Sequence, residues 1–279
     1  RAQGDTPVLT TGDATRAATI VKSVEGILAQ ADRPFSGEKL AMVGLGSIGR
    51  ATLGLLLEVL PAPSEITLCD PYQKTEELEA IRDEIVSGGF EGDVRVISTQ
   101  GVLPEEVYEA SFVVGSTSLP GILDVASLRP DTLIVDYSFP PIFHTVEAAR
   151  RLESENDILF TTGGQLRLGE TINETIYLPE GLDRLLEHMD ARQLQLLAGR
   201  EAEEITGCVL VSLLTGMEPH ILPTIGPVKV EDALTHYRFI ESLGIKPAGL
   251  QMENYVVKPE LIARFRDRST SPPVHAGTE

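Results

Sequence analysis

The stretch from Lys39 to Asp70, KLAMVGLGSIGRATLGLLLEVLPAPSEITLCD, constrains the fold more than any other part of the chain. Its first apolar run, Leu40 to Val43, reads as a buried strand because it is brief and bounded by turn formers. Gly44, Gly46 and Gly49 follow in the spacing G-x-G-x-x-G, and an apolar-periodic helix is expected from Ser47 to about Leu60. A second strand, Ile66 to Cys69, carries Asp70 at its tip. In such a turn the first glycine allows a tight bend, the second lets backbone approach a pyrophosphate, and the third lets helix pack on strand. The unpaired N–H groups of the helix start face the phosphates. Gly44, Gly46, Ser47, Ile48 and Gly49 are therefore the expected phosphate cradle, since the glycines lie between strand and helix and an acid follows at the next strand tip. A carboxylate at position 70 accepts from a ribose 2′-hydroxyl and repels a 2′-phosphate, so NAD(H) is the preferred cofactor. NADP(H) stays possible because Lys74 can reach the same place.

The order of elements after Asp70 extends this unit. A charged helix is expected from about Thr75 to Val86, then strand Val94 to Ile97, a short helix near Pro104 to Glu109, and strand Phe112 to Gly115. Strands at Leu133 to Asp136 and Ile158 to Thr162 flank a helix at about His144 to Glu155. Alternation of this kind implies an α/β fold, a parallel sheet with helices on both faces. Six strands make a doubly wound Rossmann domain over residues 38–180, with ligands beyond the carboxyl ends of the strands. Segments at those ends are Gly115-Ser116-Thr117-Ser118, Asp136-Tyr137-Ser138-Phe139-Pro140-Pro141 and Thr162-Gly163-Gly164-Gln165. Ser116, Thr117, Ser118, Gly163 and Gly164 are small enough for a nicotinamide ring to lie close to backbone. Asp136 and Tyr137 are candidates for proton transfer, although an Asp at a strand end more often caps a turn.

Outside this domain, residues 1–12 read as a linker remnant and 13–37 as a connecting helix with Ile20, Val24, Ile27 and Leu28 on one face, capped by Thr11 or Asp13. Residues 181–265 are expected to add C-terminal helices at 182–189, about 191–215 and 231–243, with no further strands. The polar tail 266–279 is expected to be disordered. Cys69, beside Asp70 in a strand, reads as structural, because burial and a neighbouring carboxylate both disfavour a thiolate. Cys208 lies in the predicted long helix with Glu204 one turn away, where a core thiol is the default expectation.

Composition narrows the function classes. Net charge is −19, which disfavours a nucleic-acid surface. No apolar run approaches the ~20 residues needed to span a bilayer, and no basic, Leu-rich leader opens the chain. Two cysteines without paired spacing give neither a disulfide framework nor a metal cluster, which fits a reducing cytoplasm. His188, His220, His236 and His275 show no ligand spacing, and His144 reads as a helix-end residue. The first residue is Arg1 and not Met, which is compatible with a fragment or the ordered part of a longer chain.

Several short motifs resemble the C-terminal, cofactor-binding portion of the cyanobacterial long-chain acyl-(acyl carrier protein) reductases, from about Thr10 to Leu250. That family carries Thr-Thr-Gly-Asn where this chain has Thr10-Thr11-Gly12-Asp13, and its glycine loop ends as Gly46-Ser47-Ile48-Gly49 does. Its Ser-x-Pro turn is similar to Ser118-Leu119-Pro120, its Asp-Gly-Gly-Tyr-Pro segment to Asp136 to Pro140, and its Gly-Gly pair to Gly163-Gly164. Cys208 falls where the family's nucleophilic cysteine lies, in a late helix before an apolar run. The resemblance implies that Cys208 attacks an acyl thioester, small or carrier-bound, and that reduction releases an aldehyde. The family uses NADPH whereas Asp70 points to NADH, and its N-terminal substrate domain is absent from these residues. Two other readings stand beside this one. One is a dehydrogenase of a small carbonyl or imine that needs no cysteine and draws its proton-transfer group from Asp13, Asp136, Tyr137 or His144. The other is a non-catalytic nucleotide-binding domain of a larger protein. The late helices suit either a homo-oligomer face or a cover on the site.

Overall fold

The computed structural model describes residues 9–171, 183–190, 193, 203–218 and 220–270. Six apolar runs become β1 (Lys39–Val43), β2 (Glu65–Asp70), β3 (Asp93–Ser98), β4 (Phe112–Gly115), β5 (Thr132–Asp136) and β6 (Ile158–Thr162). They form one parallel sheet in the order β3-β2-β1-β4-β5-β6. Central strands such as β5 are buried at every position, as a parallel sheet covered on both faces requires. The edge strand β3 alternates between exposed and half-buried, and its Asp93 and Arg95 put charges on that edge. Four helices lie between the strands, α2 (Ser47–Val59), α3 (Thr75–Ser87), α4 (Glu105–Tyr108) and α5 (Thr145–Ser154). The doubly wound Rossmann fold expected from the sequence is the fold observed, and C-terminal helices are added to it. The order of strands reverses between β1 and β4, so the crevice at their carboxyl ends is where such sheets bind ligands.

Helix α1 (Asp13–Ala31) departs from a one-faced amphipathic helix. Ala14, Ala17, Ala18, Ile20, Val21, Val24, Ile27 and Leu28 are buried around its circumference, because α2, the C-terminal helices and a small second sheet surround it. Neither Thr11 nor Asp13 caps it: its N-cap is Gly12 at φ 73°, with no side-chain hydrogen bond. Residues just before it are docked rather than loose, since Thr11 N donates to Thr224 O at 2.8 Å and Thr10 Oγ1 to the same oxygen at 3.1 Å.

The C-terminal part also differs from a purely helical segment. β7 (Gln165–Arg167) pairs antiparallel with β8 (Glu204–Thr206) and β9 (Lys246–Pro247) in a three-stranded sheet, and β10 (Gln251–Met252) pairs with β11 (Tyr255–Val256). Within the described part of residues 182–189, α6 is confined to Asp183–Leu186. Expected helix positions 191, 192 and 194–202 lie outside the described residues. Glu204 belongs to β8, not to a helix, and the next helix, α7 (Gly207–Met217), starts only after it. Glu204 is 2% exposed, and Gln251 Nε2 and Gln165 Nε2 donate to its Oε2 at 2.6 and 2.8 Å. Helix α8 (Val230–Ser242) matches expectation. Residues 266–270, predicted to be disordered, close a helix α9 (Pro259–Thr270) that buries Leu261, Ile262 and Phe265; residues 271–279 lie outside the description.

Candidate functional site

At the switch point the three glycines differ in the way a dinucleotide loop requires. Gly44 sits at φ +91°, and a Cβ there would meet Ser116 O at 2.3 Å. A Cβ on Gly49 would lie 2.1 Å from Gly44 O, so helix and strand touch backbone to backbone. A Cβ on Gly46 would meet nothing within 4 Å. Gly46 is also the N-cap of α2 and brings no side-chain cap, leaving the first-turn N–H groups beside Ser47 and Ile48 for an anion. These residues fit a bound pyrophosphate.

Asp70 occupies the strand tip as expected, yet its carboxylate is 1% exposed. Leu45 N donates to Oδ2 at 3.0 Å and Tyr72 N to Oδ1 at 2.9 Å, with Lys74 Nζ 3.7 Å from Oδ2. The acid therefore braces the glycine loop directly. Cys69 is fully buried, and that burial, with Asp70 beside it, pushes its thiol up to about 12, as a structural cysteine should be.

The ends of β4, β5 and β6 converge on the same rim. Thr117 N donates to Ser138 Oγ at 2.9 Å, whereas Ser118 Oγ bonds the Tyr72 hydroxyl at 2.6 Å across the β2 side of the crevice. Asp136 is 1% exposed; its Oδ1 accepts from Ser138 N at 2.9 Å and its Oδ2 from Ile142 N at 2.8 Å. Burial raises its carboxyl to about 6, against those hydrogen bonds. Both oxygens are thus committed to holding the loop, the turn-capping alternative raised by its sequence position. Tyr137 projects from this loop over the turn after β6: a Cβ on Gly164 would meet its ring at 2.9 Å, and one on Gly163 would meet its Cβ at 3.2 Å. Burial pushes the phenol up to about 12; Arg16 opposes the shift, while Cys208 and Asp13 add to it.

Cys208 is exposed, which overturns the expectation of a core thiol. Its position follows from β8, which the sequence did not reveal. Gly207 N donates to Gly164 O at 3.0 Å, and Gly164 N donates to Ser23 Oγ of α1 at 2.9 Å. A Cβ on Gly207 would lie 2.4 Å from Thr19 Oγ1. The first turn of α7, with Cys208 as its second residue and Thr206 Oγ1 3.0 Å from the sulfur, is thereby fixed beside the Gly163-Gly164 turn and Tyr137. Two residues missed by sequence reasoning, Arg16 and Thr19, complete this wall from α1. Their signal was position alone, since both follow the Thr10–Asp13 turn on one helix face.

His144 lies exposed at the N-cap of α5, a helix-end position, whereas His236 is buried with Nδ1 2.8 Å from Thr15 Oγ1 and packs between helices. Among the described residues no group of His, Cys, Asp and Glu could hold a metal, and no helix is long and apolar enough to cross a membrane.

No protein-family model matches the chain, and no curated protein matches it. Similar solved structures include a short chain alcohol dehydrogenase from E. coli CFT073 complexed with NADH, at 17% identity and TM-score 0.39 over 53% of this chain and 42% of that one. Shikimate 5-dehydrogenase from Listeria monocytogenes, in complex with shikimate and NAD, is 16% identical with TM-score 0.37, covering 52% of each chain. L-Tryptophan dehydrogenase from Nostoc punctiforme is 12% identical with TM-score 0.43, over 92% of this chain and 60% of that one. The matched part spans less than two thirds of each of those chains, and the fold rests on the strand order itself. The resemblance to acyl-(acyl carrier protein) reductases is carried by the short motifs alone.

Proposed function

We propose that this chain is a nicotinamide-dependent oxidoreductase that reduces an acyl thioester, small or carrier-bound, to an aldehyde through an acyl group on Cys208. The observation that carries this reading is the Gly207–Gly164 hydrogen bond, which fixes an exposed cysteine at the sheet edge that also bears an open glycine cradle. Gly44, Gly46, Ser47, Ile48 and Gly49 hold the pyrophosphate, and Ser116, Thr117, Gly163 and Gly164 flank the nicotinamide side. Asp70, buried with its two oxygens taken by Leu45 N and Tyr72 N, holds the glycine loop beneath the pyrophosphate and does not itself reach a ribose hydroxyl, contrary to the role its strand-tip position predicts. When bound, the nicotinamide cofactor supplies a hydride. Cys208 supplies the nucleophile. Tyr137, a phenol that is protonated at neutral pH and that burial makes still harder to ionise, supplies an O–H donor. Asp136 positions Tyr137 by holding the loop.

Intact-protein mass spectrometry after incubation with acyl-CoA thioesters tests the reading. The expected result is an adduct that Cys208→Ala abolishes and that disappears on adding NADH. A persistent adduct in Cys208→Ala, or none in the wild type, would reject it. Gly46→Val separates cofactor binding from folding: the open space at that position leaves the melting temperature unchanged, while the NADH dissociation constant rises at least ~10-fold because the side chain fills the pyrophosphate's approach.

A further inference from the structure

We infer that Arg16 receives the carbonyl oxygen of the substrate and stabilises the oxyanion formed when Cys208 attacks. This inference rests on the acyl-cysteine reading above and adds a group to it. Helix α1 touches α7 at two places. A Cβ on Gly12 would meet Val211 Cγ1 at 3.2 Å, and Thr19 Oγ1 stands 2.4 Å from the Cβ position of Gly207. Arg16 lies one turn after Gly12 and three residues before Thr19, on the face between those contacts, while Cys208 follows Gly207 at the start of α7, exposed at the rim of the contact rather than buried in it. The start of α7 and the Tyr137 ring meet at the same turn, since Gly207 N bonds Gly164 O and a Cβ on Gly164 would touch that ring, and Arg16 and Cys208 both bear electrostatically on its phenol.

The guanidinium has donors to spare. NH1 meets Asp13 Oδ1 at 3.3 Å, whereas Nε is buried and has no hydrogen-bond partner. The side chain is 31% exposed, so its outer N–H groups, rather than the buried Nε, are the donors that an oxygen brought by the substrate can meet. Asp13 decides what kind of oxygen. It offsets the guanidinium charge, and the chain as a whole carries −19, so a substrate anion gains little here. A carbonyl oxygen is neutral on arrival and becomes charged only as the reaction proceeds, which is where fixed donors act most strongly. In the acylation step the Cys208 sulfur bonds the thioester carbon and the carbonyl π pair moves onto oxygen, where Arg16 N–H groups meet it. Collapse of that oxyanion breaks the bond to the leaving sulfur, which departs as a thiol with the proton that Cys208 gave up.

Two reactions of the same thiol separate this role from others. Acylation by octanoyl-CoA passes through an oxyanion; alkylation by iodoacetamide does not. In the full chain, Arg16→Gln is expected to slow acylation about 100-fold and to change alkylation by less than about twofold. NADH binding and melting temperature are expected to stay at wild-type values. Arg16→Lys, which keeps the charge but loses the planar fork, should recover part of the acylation rate. If both reactions slow together, Arg16 acts on the thiol or the fold, and the inference is overturned. Acylation at the wild-type rate in Arg16→Gln also overturns it, and should Arg16→Gln not fold, Arg16→Ala read in the same two reactions decides. A wild type that forms no adduct removes the acyl-cysteine reading itself, a failure visible before any variant is made.

Discussion

Burial raises the Asp136 carboxyl from its ordinary 3.8 to about 6, against the backbone N–H groups of Ile142 and Ser138 that favour its charged form. The folded chain therefore holds that proton more tightly than the unfolded one. This contribution to stability is complete below about pH 4 and is lost as pH climbs through about 6. Urea unfolding across this range should show stability falling with pH in the wild type. The same series in Asp136→Asn should lack a part of that slope on the order of 2 kcal/mol. An identical slope in both proteins would mean that the carboxyl titrates normally. At the same scale, Gly44, Gly46 and Gly49 were legible because one local turn fixes all three roles. Arg16 was not, because Tyr137, on whose phenol it bears, is remote in sequence and only packing brings them together.

Among the elements, the six strands and the helices between them could be read from apolar runs and their punctuation, since each run is chemically distinct from the connection that follows it. β8 could not. Its three residues, Glu204 to Thr206, sit between an Ala- and Glu-rich stretch and an apolar helix, so local propensity runs through them without a break. What makes a strand there is pairing with β7 and a buried carboxylate that Gln165 and Gln251 satisfy. α9 was hidden by its charges, although Pro259 at its first position and the Leu261 to Phe265 spacing were available signals. The contact on which the proposed chemistry depends is that between α1 and α7, where Gly207 lets the two backbones approach. Gly207→Ala would force a methyl against Thr19 and is expected to cost about 1–3 kcal/mol and to slow acylation of Cys208. Thr19→Ala in the same chain removes the nearest obstructing atom. A double-mutant cycle should therefore give a coupling of at least about 1 kcal/mol in favour of the pair. Additive losses would show that the α7 start is held by other contacts.

For the molecule as a whole, charge balance sets a term that no single contact shows. The chain carries 42 acidic and 23 Lys and Arg side chains. Such an excess repels itself in the folded state and is relieved when the chain expands. Salt acts on two terms of opposite sign. It screens this repulsion, and it also weakens exposed ion pairs such as Arg50–Glu84 and Arg82–Asp83. Exposed pairs are worth only about 0–1 kcal/mol each at low salt, so their loss is small. The better-buried pairs, Arg151–Asp157 and Lys22–Glu25, are screened much less. Relief of repulsion should therefore win. Raising NaCl from about 20 to about 300 mM, across which the screening length drops below the spacing of most surface charges, is expected to raise the melting temperature by about 2–4 °C. A melting temperature that falls over the same range would mean that the ion pairs outweigh the net charge. The Arg16–Asp13 pair at the proposed site would then be a support of the fold as well as a donor to substrate.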